Sequence, residues 1–343
     1  MPAHRSVDPS IVRWLWLLFA TVFSMVLVGG ITRLTESGLS MVDWRPVMGV
    51  LPPIGEAAWN EAFDAYKTSP QYREVNAWME VADFKRIFFW EYTHRVLGRT
   101  IALIAFIPWL YFQLRGRLEG WLSFRILVAI ALGGGQGLLG WYMVQSGLID
   151  RPEVSHFRLA SHLSLAFVIA GWNLWMLMDL RFGRVLPGVR GLQFYPALLM
   201  LMLAVQILYG AFMAGTHAGI LFPSFPDMNG HYLPGGLIPE GPLLHTLIND
   251  PVAIHYIHRA LGFALMAWGG VAWWKLRAAS RGASTLVCDQ LLAVLSIQFV
   301  LGALTALWQT PLTLAVIHQG GAFVTACSTL LLAHHAARLE RAH

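Results

Sequence analysis

The sequence EYTHRVLGR, residues 91–99, stands at the edge of an apolar run, and HYIHRALGF, residues 255–263, repeats its pattern. Both stretches contain a His-Arg-x-Leu-Gly pentad, which begins at His94 in the first and at His258 in the second. Ionisable side chains are costly within a membrane-spanning helix, so their presence there is by default a sign of function. The repeated pentad therefore predicts a structural unit that occurs twice and carries functional histidines.

The composition predicts a helical membrane protein. Hydrophobic residues make up 56% of the 343-residue chain and charged residues only 13%, which is typical of an integral membrane protein. A helix needs roughly 20 apolar residues to cross the hydrocarbon core of a bilayer. Runs of that length begin near Val12, His94, Ser123, Ser155, Phe194, Ile254, Leu286 and Leu312. We therefore expect an all-α protein with eight transmembrane helices.

The distribution of basic residues predicts how these helices are oriented. With eight spans, both termini lie on the same side of the membrane. The basic residues of that side are Arg5, Arg13, Arg115, Arg117, Arg125, Arg181, Arg184, Arg190, Lys275, Arg277, Arg281, Arg338 and Arg341. By the positive-inside rule this side is cytoplasmic, or the matrix side in a mitochondrial protein. The net charge of +5 is thus a topology signal, and no basic cluster is typical of nucleic-acid binding.

Two further matches extend the repeat along the chain. HLSLAF, residues 162–167, aligns with HQGGAF, residues 318–323. GGITRLTESGL, residues 29–39, aligns with GAFMAGTHAGI, residues 210–220. These matches pair the first span with the fifth and the fourth with the eighth. Chance similarity among apolar helices alone would generate weak matches, but the two His-Arg-x-Leu-Gly pentads at matching positions argue against chance.

The aligned segments predict two four-helix halves, residues 1–180 and 192–343, joined by a linker over residues 181–191. Because each half contains an even number of spans, both halves enter the membrane from the same side. Parallel repeats of this kind are related by a pseudo-two-fold axis along the membrane normal.

Four histidines lie at repeat-related positions in the predicted spans: His94, His162, His258 and His318. His94 could face His162 within one half, and His258 could face His318 within the other. Helix bundles hold buried metal cofactors in this way, and imidazole is a standard axial ligand of heme iron. We therefore predict that all four are heme-iron ligands, although any single one could be a hydrogen-bonded packing residue. Zinc is a weaker interpretation, because thiolates or carboxylates do not converge at matching spacing in each half.

The residues beside these histidines fit a porphyrin. Residues four apart share a helix face, and the residue four after each histidine is small. These residues are Gly98, Ala166, Gly262 and Ala322. Heme also carries two propionates, which need cationic or hydrogen-bonding partners. The candidate partners, each close to one histidine, are Arg95, Arg158 and Arg259.

The two halves differ at one chemically important position. Glu91 precedes His94 by three residues and so shares its helix face, whereas the matching residue of the second half is His255. An acid in one half only suggests that this half performs chemistry while the other holds a permanent cofactor. A carboxylate in an apolar pocket can accept a proton or stabilise developing positive charge. The alternative role of Glu91 is an ion pair with Arg95, and His255 could line the second pocket.

Other histidines and the two cysteines carry weaker signals. His156 is about 600° around a helix from His162, so the two cannot face the same way, and His156 is expected on the outer surface. Cys288 and Cys327 each fall within a predicted span. A disulfide is therefore not expected.

Together these motifs resemble the heme A synthase family of cytochrome oxidase assembly. The motifs are E-x-x-H-R at residues 91–95, G-G-x-T-R-L-T-x-S-G-L at residues 29–39, and the paired histidines of the later spans. The resemblance covers nearly the whole chain. It implies an oxidoreductase that converts heme O to heme A by oxidising a ring methyl to a formyl group through an alcohol.

The same resemblance implies roles for the residues of each half. Glu91 would be catalytic, and the first half would bind heme O through His94 and His162. The second half would bind heme b as a cofactor through His258 and His318. The implied partners are an enzyme that supplies heme O by farnesyl transfer and an electron-transfer partner.

This chain departs from some members of the family, which carry cysteine pairs in outer loops. Its predicted outer loops, residues 32–93 and 217–253, contain no cysteine. It is more similar to the proteobacterial and mitochondrial branch, and a thiol-based role is doubtful for it. Since the N-terminal MPAHRSVDPS is too short for a mitochondrial presequence, we expect a bacterial inner-membrane protein.

Two other functions fit parts of the pattern. A b-type membrane electron carrier would hold two permanent hemes and would need no acid unique to one site. A transporter with parallel repeats would use the histidines as proton relays, but it would also be expected to have broken helices at mid-membrane, and only glycine runs are present.

Overall fold

The computed structural model describes residues 8–42, 51–148, 152–235, 237 and 241–341. These residues form helices and no β-strand, as the sequence predicts. The long helices are α1 (Pro9–Leu34), α4 (Val81–Leu114), α5 (Gly120–Leu148), α6 (His156–Phe182), α7 (Phe194–Gly215), α9 (Pro251–Ala279), α10 (Thr285–Leu307) and α11 (Leu312–Arg341). The short helices are α2 (Gly55–Lys67), α3 (Pro70–Glu74) and α8 (Leu243–Asn249).

Within the described residues, seven helices are long and apolar enough to cross a membrane. They are α1, α4, α5, α6, α10, α11 and the helical segment Gly191–Gly215 that contains α7. The predicted multi-pass membrane protein is therefore confirmed. The remaining long helix, α9, has 29 residues but is less apolar, because it carries His255, His258, Arg259, Lys275 and Arg277. Its place as an eighth span stays a prediction.

Helix α4 begins well before the span expected near His94. It has 34 residues from Val81 to Leu114, and its length of about 51 Å exceeds a hydrocarbon core of about 30 Å. A capping box between Glu80 and Asp83 fixes its start. Its first turns pack against Phe63 and Tyr66 of α2 in a buried aromatic cluster. His94 therefore lies inside a continuous helix, and the segment between α1 and α4 contains the short helices α2 and α3.

The long helices pack in the order of the predicted halves. In the first half α1 contacts α4 and α6, and α5 contacts α4 and α6. In the second half α9 contacts α7 and α10, and α11 contacts α7 and α10. The halves meet where α6 lies against α7 and where α11 lies against α1 and α6. A side-chain hydrogen bond crosses this boundary, because Gln319 Nε2 donates to the carbonyl oxygen of Val26 at 2.6 Å.

Polar contacts join the chain segments at one end of the bundle. Arg117, in the connection from α4 to α5, donates through Nε to Asp8 at 2.8 Å. Hydrogen bonds from Ser10 and from the Arg117 guanidinium lower the pKa of Asp8 to about 2. Arg341 donates to the carbonyl oxygen of Arg184 at 2.5 Å, in the linker. The start of α1, the linker and the end of α11 thus carry basic residues at connections that the sequence places on one side. Arg5 lies outside the described residues.

Candidate functional site

Each predicted ligand of the first half rests on a glycine of the long helix that precedes its own. A Cβ atom added at Gly29 in α1 would lie 3.4 Å from Nε2 of His94 in α4. A Cβ atom added at Gly140 in α5 would lie 3.0 Å from Cε1 of His162 in α6. His94 and His162 lie within electrostatic range of each other, so the fold brings these two side chains into one region.

The second half repeats this arrangement. A Cβ atom added at Gly210 in α7 would lie 3.3 Å from Cε1 of His258 in α9. A Cβ atom added at Gly302 in α10 would lie 2.9 Å from Cε1 of His318 in α11. His258 and His318 likewise lie within electrostatic range of each other. Each of the four rings lies against the backbone of a glycine, and a Cβ atom at Gly140, Gly210 or Gly302 would crowd the ring beside it.

Three glutamines, which the sequence analysis missed, contact these histidines. Gln136 Nε2 donates to the carbonyl oxygen of His162 at 3.0 Å and lies 3.4 Å from Nε2 of its ring. Gln298 Nε2 donates to the carbonyl oxygen of His318 at 2.9 Å and lies 3.1 Å from Nδ1 of its ring.

The third contact has the same helix spacing. Gln206 Nε2 lies 3.2 Å from Nε2 of His258. Each glutamine stands four residues before the glycine that touches the same histidine. The pattern is QGLLG at residues 136–140, QILYG at residues 206–210 and QFVLG at residues 298–302. This recurring Q-x-x-x-G spacing is the sequence signal that would have found them, because residues four apart share a helix face.

Unpartnered polar atoms surround the histidine pairs. The ring nitrogens His162 Nδ1 and His258 Nδ1 are buried without a hydrogen-bond partner. The same holds for the side-chain oxygens of Gln136, Gln206 and Gln298. A buried polar atom without a partner is costly, so a cluster of them needs a further explanation. Free imidazole nitrogens beside cleared glycine backbone suit the axial ligation of a flat metalloporphyrin, and the residues therefore fit a heme in each half.

Glu91 is buried, and both of its carboxylate oxygens accept hydrogen bonds. Only 2% of its surface is exposed. One carboxylate oxygen accepts hydrogen bonds from Ser40 Oγ at 2.6 Å and from the Met41 backbone N–H at 2.7 Å. The other accepts from Arg95 Nη2 at 2.5 Å. The ion pair that the sequence offered as the alternative role of Glu91 is present, and Glu91 also ties α4 to the segment after α1.

His255 occupies the same local position in the second half. Its Nδ1 donates to the carbonyl oxygen of Ala218 at 2.8 Å, in the segment after α7. Its Nε2 accepts from Arg259 Nε at 2.9 Å. Glu91 and His255 thus perform one structural task, which is to anchor a turn and to hold the arginine four residues later. What differs between the halves is the carboxylate charge.

The surface of α5 beside Gln136 carries smaller residues than the corresponding surface of α10. If the Q-x-x-x-G motifs of α5 and α10 are superposed, Gly137 corresponds to Phe299. A Cβ atom added at Gly137 would meet no atom within 4 Å, and the same is true of Gly133, Gly134 and Gly135. Phe299 lies 4.0 Å from a Cβ position at Gly262, and its ring centroid is 5.2 Å from that of Phe263. Gly133, Gly134 and Gly137 are exposed, so α5 presents bare backbone at positions where α10 carries larger side chains such as Phe299.

Comparison with known proteins shows the family of this chain. A family model described as cytochrome oxidase assembly protein matches residues 12–330. The chain belongs to this family. It is 40% identical over 338 residues to the heme A synthase of Nitrosospira multiformis, with 97% of this chain and 95% of that protein covered. It is 41% identical to the heme A synthase of Parvibaculum lavamentivorans over 311 residues, covering 91% and 90% of the two chains. The heme A synthase of Bradyrhizobium diazoefficiens is 42% identical over 312 residues, covering 90% and 86%.

Arg95 and Arg259, which are predicted partners of the heme propionates, contact the chain segments that follow α1 and α7. Arg259 donates to the carbonyl oxygens of Phe222 at 2.7 Å and Ser224 at 2.8 Å, in addition to its contact with His255. Arg95 donates to the carbonyl oxygen of Met41 at 2.9 Å. Both arginines therefore anchor the chain after the preceding helix, and their role toward propionates stays a prediction.

Two further predicted residues have defined surroundings. The guanidinium of Arg158 stacks on Tyr142 at 3.7 Å from the ring centroid and donates to the carbonyl oxygen of that residue at 2.7 Å. It therefore bridges α6 to α5. His156 differs from the expectation of an outer-surface residue. It is partly buried, and its Nε2 donates to the carbonyl oxygen of Ile248 at 3.0 Å, because close packing on Gly215 places it between the halves.

The cleared patches expected one turn after the histidines are not all alike. A Cβ atom added at Gly98 would lie 3.1 Å from the methyl carbon of Met25. Ala166 packs against the buried cluster of Val22, Val26 and Phe323 between the halves. The expectation of an open patch is wrong at Ala166, because the helix face that follows His162 packs against α1 and α11.

Proposed function

We propose that this chain is a heme A synthase, a helical membrane oxidoreductase that oxidises a ring methyl of heme O to a formyl group through an alcohol. The observation that carries the proposal is the pair of imidazoles in each half, each ring set against a glycine of the preceding long helix. The relatives named heme A synthase, which are about 40% identical over most of the chain, support the reaction. Ligation of heme iron by these imidazoles would also account for the buried ring nitrogens that have no hydrogen-bond partner.

We assign heme O to the first half, with His94 and His162 as its ligands. Heme O carries a long farnesyl chain that heme b lacks, so its site needs more room at the edge of the porphyrin. The open space beside Gly133 and Gly137 supports this choice, because Leu295 and Phe299 stand at the superposed positions of the second half. Glu91, next to this site, would accept a proton or stabilise positive charge while the methyl group is oxidised.

We assign heme b to the second half, with His258 and His318 as its ligands. When bound there, heme b supplies one-electron redox capacity. The residues around it hold the site together, since Arg259 fixes the turn after α7 and Phe299 fills the space beside Gly262. An enzyme that makes heme O by farnesyl transfer would provide the substrate, and a membrane electron carrier would take the electrons.

We further propose that α9 is an eighth span, that the halves are related by a pseudo-two-fold axis along the membrane normal, and that both termini are cytoplasmic in a bacterial inner membrane. Two local features support this proposal. The turns Ser37–Leu39 and Ala218–Ile220 follow α1 and α7, and each is preceded by a residue of positive φ, Glu36 and His217. The contacts of Asp8 and Arg341 join basic connections at one end.

The pigments of the purified protein test the proposed function. The full-length chain is expressed in a host that makes heme O but has no heme A synthase of its own, and the extracted hemes are separated chromatographically. We expect heme A or its alcohol precursor together with heme b. Membranes from the host without this chain are the control. If heme b alone is found when heme O is abundant, the chain is a b-type electron carrier and the proposal is wrong.

The second heme site makes a separate prediction. Replacement of His258 or His318 with alanine is expected to remove the reduced b-type absorption bands, because an iron that loses one imidazole also loses its low-spin state. Visible spectra of the reduced protein provide the measurement. His245→Ala changes an exposed histidine outside the pairs and serves as the matched control. An unchanged b-type spectrum in both His258→Ala and His318→Ala would contradict the assignment.

A further inference from the structure

The glutamine contacts are not distributed equally over the four histidines. Among the described residues, the rings of His162, His258 and His318 each have a glutamine amide within 3.4 Å. No hydrogen bond to the ring of His94 is present in the described chain. Three of the predicted ligands therefore have a polar partner that belongs to the preceding long helix, and one does not.

The exception has an identifiable cause in the sequence of α1. The residue four before Gly29, which corresponds to the glutamine of the other motifs, is Met25. Its methyl carbon lies 3.1 Å from a Cβ position at Gly98, one turn after His94. In the second half Gln206 takes the matching place, with its Nε2 3.8 Å from a Cβ position at Gly262. Methionine thus occupies the site of the amide without supplying a hydrogen-bond donor or a strong acceptor.

The partner of a metal-binding histidine matters for how firmly the metal is held. Such a histidine almost always uses its second ring nitrogen for a hydrogen bond, which fixes the tautomer and the orientation of the ring. A glutamine amide offers both an N–H donor and a carbonyl acceptor, so it can pair with the ring nitrogen that the iron leaves free. The three glutamine side-chain oxygens are buried and accept no hydrogen bond, so they are available for this role.

We propose that Gln136, Gln206 and Gln298 are positioning residues for their histidines, and that Met25 leaves His94 as the weakly held ligand from which heme is exchanged. This inference rests on the proposed function, since it requires heme in both halves. A synthase must release its product from one site and retain its cofactor in the other. A mobile imidazole on one face of the substrate site and two fixed imidazoles at the cofactor site meet both needs.

The experiment exchanges the two side chains between the halves. In the full-length protein with both His258→Ala and His318→Ala, which leaves only the first site, Met25→Gln is introduced. In the full-length protein with both His94→Ala and His162→Ala, which leaves only the second site, Gln206→Met is introduced. Each protein is loaded with ferric heme b, and transfer of the heme to excess apomyoglobin is followed by absorbance. We expect Met25→Gln to slow heme release and Gln206→Met to accelerate it, each by about 10- to 100-fold. This is the usual effect on metal affinity of a residue that hydrogen-bonds to a metal ligand.

The matched variants separate positioning from packing. Methionine and glutamine are similar in size, so a purely space-filling role predicts no change in either exchange. Gln206→Glu keeps an oxygen that can accept a hydrogen bond from a ring N–H. We therefore expect Gln206→Glu to release heme more slowly than Gln206→Met, at a rate close to that of the protein with Gln206. Electron paramagnetic resonance of the same variants, also made without the histidine substitutions, is expected to show shifted low-spin signals.

Equal release rates and unchanged low-spin signals in both exchanges would overturn the inference, and so would loss of heme from Met25→Gln. These outcomes differ from failure of the proposed function. If the protein without substitutions binds no heme in either half, the function is wrong; if it binds heme and the exchanges have no effect, only the role of the amides is wrong.

Discussion

Glu91→Gln is expected to reduce heme A formation by at least about 100-fold while the protein still binds heme, because general acid–base groups typically contribute about 10²- to 10⁴-fold. Glutamine has nearly the shape of glutamate but carries no charge and offers one acceptor oxygen in place of two. Heme O, the alcohol intermediate and heme A are quantified in extracts of the purified variant. Glu74→Gln alters an exposed acid on α3 and is the matched control, which should keep full activity.

A second variant separates the charge of Glu91 from its structural task. Glu91 holds Ser40 and Arg95, so loss of activity in Glu91→Gln could reflect a displaced turn. In the second half His255 performs the same task with Arg259. Glu91→His therefore copies a local arrangement that this fold already accepts and removes the carboxylate. We expect it to bind heme and to form no heme A; full activity in Glu91→His would exclude the carboxylate from the reaction.

Gly137→Phe is expected to lower the heme O content of the protein by about 10-fold or more without loss of heme b. The substitution gives α5 the aromatic side chain that α10 carries as Phe299, in the space that we assign to heme O. Filling a site with a larger side chain typically costs 1–3 kcal/mol, and each 1.4 kcal/mol is about tenfold in binding. The ratio of heme O to heme b in extracts is the measurement, taken in the Glu91→Gln protein so that substrate accumulates.

The control for this change is Gly137→Ala. A Cβ atom at this position meets nothing within 4 Å, so alanine is expected to bind heme O normally. A normal heme O content in Gly137→Phe would mean that the farnesyl chain lies elsewhere. An equal loss of heme O and heme b would mean that phenylalanine disturbs the bundle, and the assignment of the open space to the substrate would then be wrong.

Much of the candidate site was predictable because ionisable residues are rare in apolar helices. His94, His162, His258 and His318 stand out for this reason, and the structure places each ring against a glycine of the preceding long helix. The unequal residues at Glu91 and His255 were visible for the same reason. The Q-x-x-x-G spacing was present in the sequence as well, but glutamine is neutral and attracts little attention without the contacts.

The sequence was a weaker guide to where helices begin and to which polar groups meet. Helix α4 starts at Val81 because Glu80 and Asp83 form a cap and its first turns pack on α2, which the hydropathy of the span does not show. Helix α9 is as long as α5, yet its histidines and arginine lower its apolar character. His156 carries no signal that distinguishes the outer surface from the boundary between the halves.

By itself, the sequence determined that this is a helical membrane protein, and it predicted related halves with histidine pairs and one asymmetric acid. Those features follow from composition, helical spacing and the cost of polar groups in lipid, all of which are local or statistical properties of the chain. Only the tertiary structure decided that Glu91 and His255 anchor equivalent turns, that Arg259 binds loop carbonyls, and that glycines of one helix receive the rings of the next. Such contacts depend on which helix faces lie against each other and on backbone groups, and every residue type carries the same backbone groups.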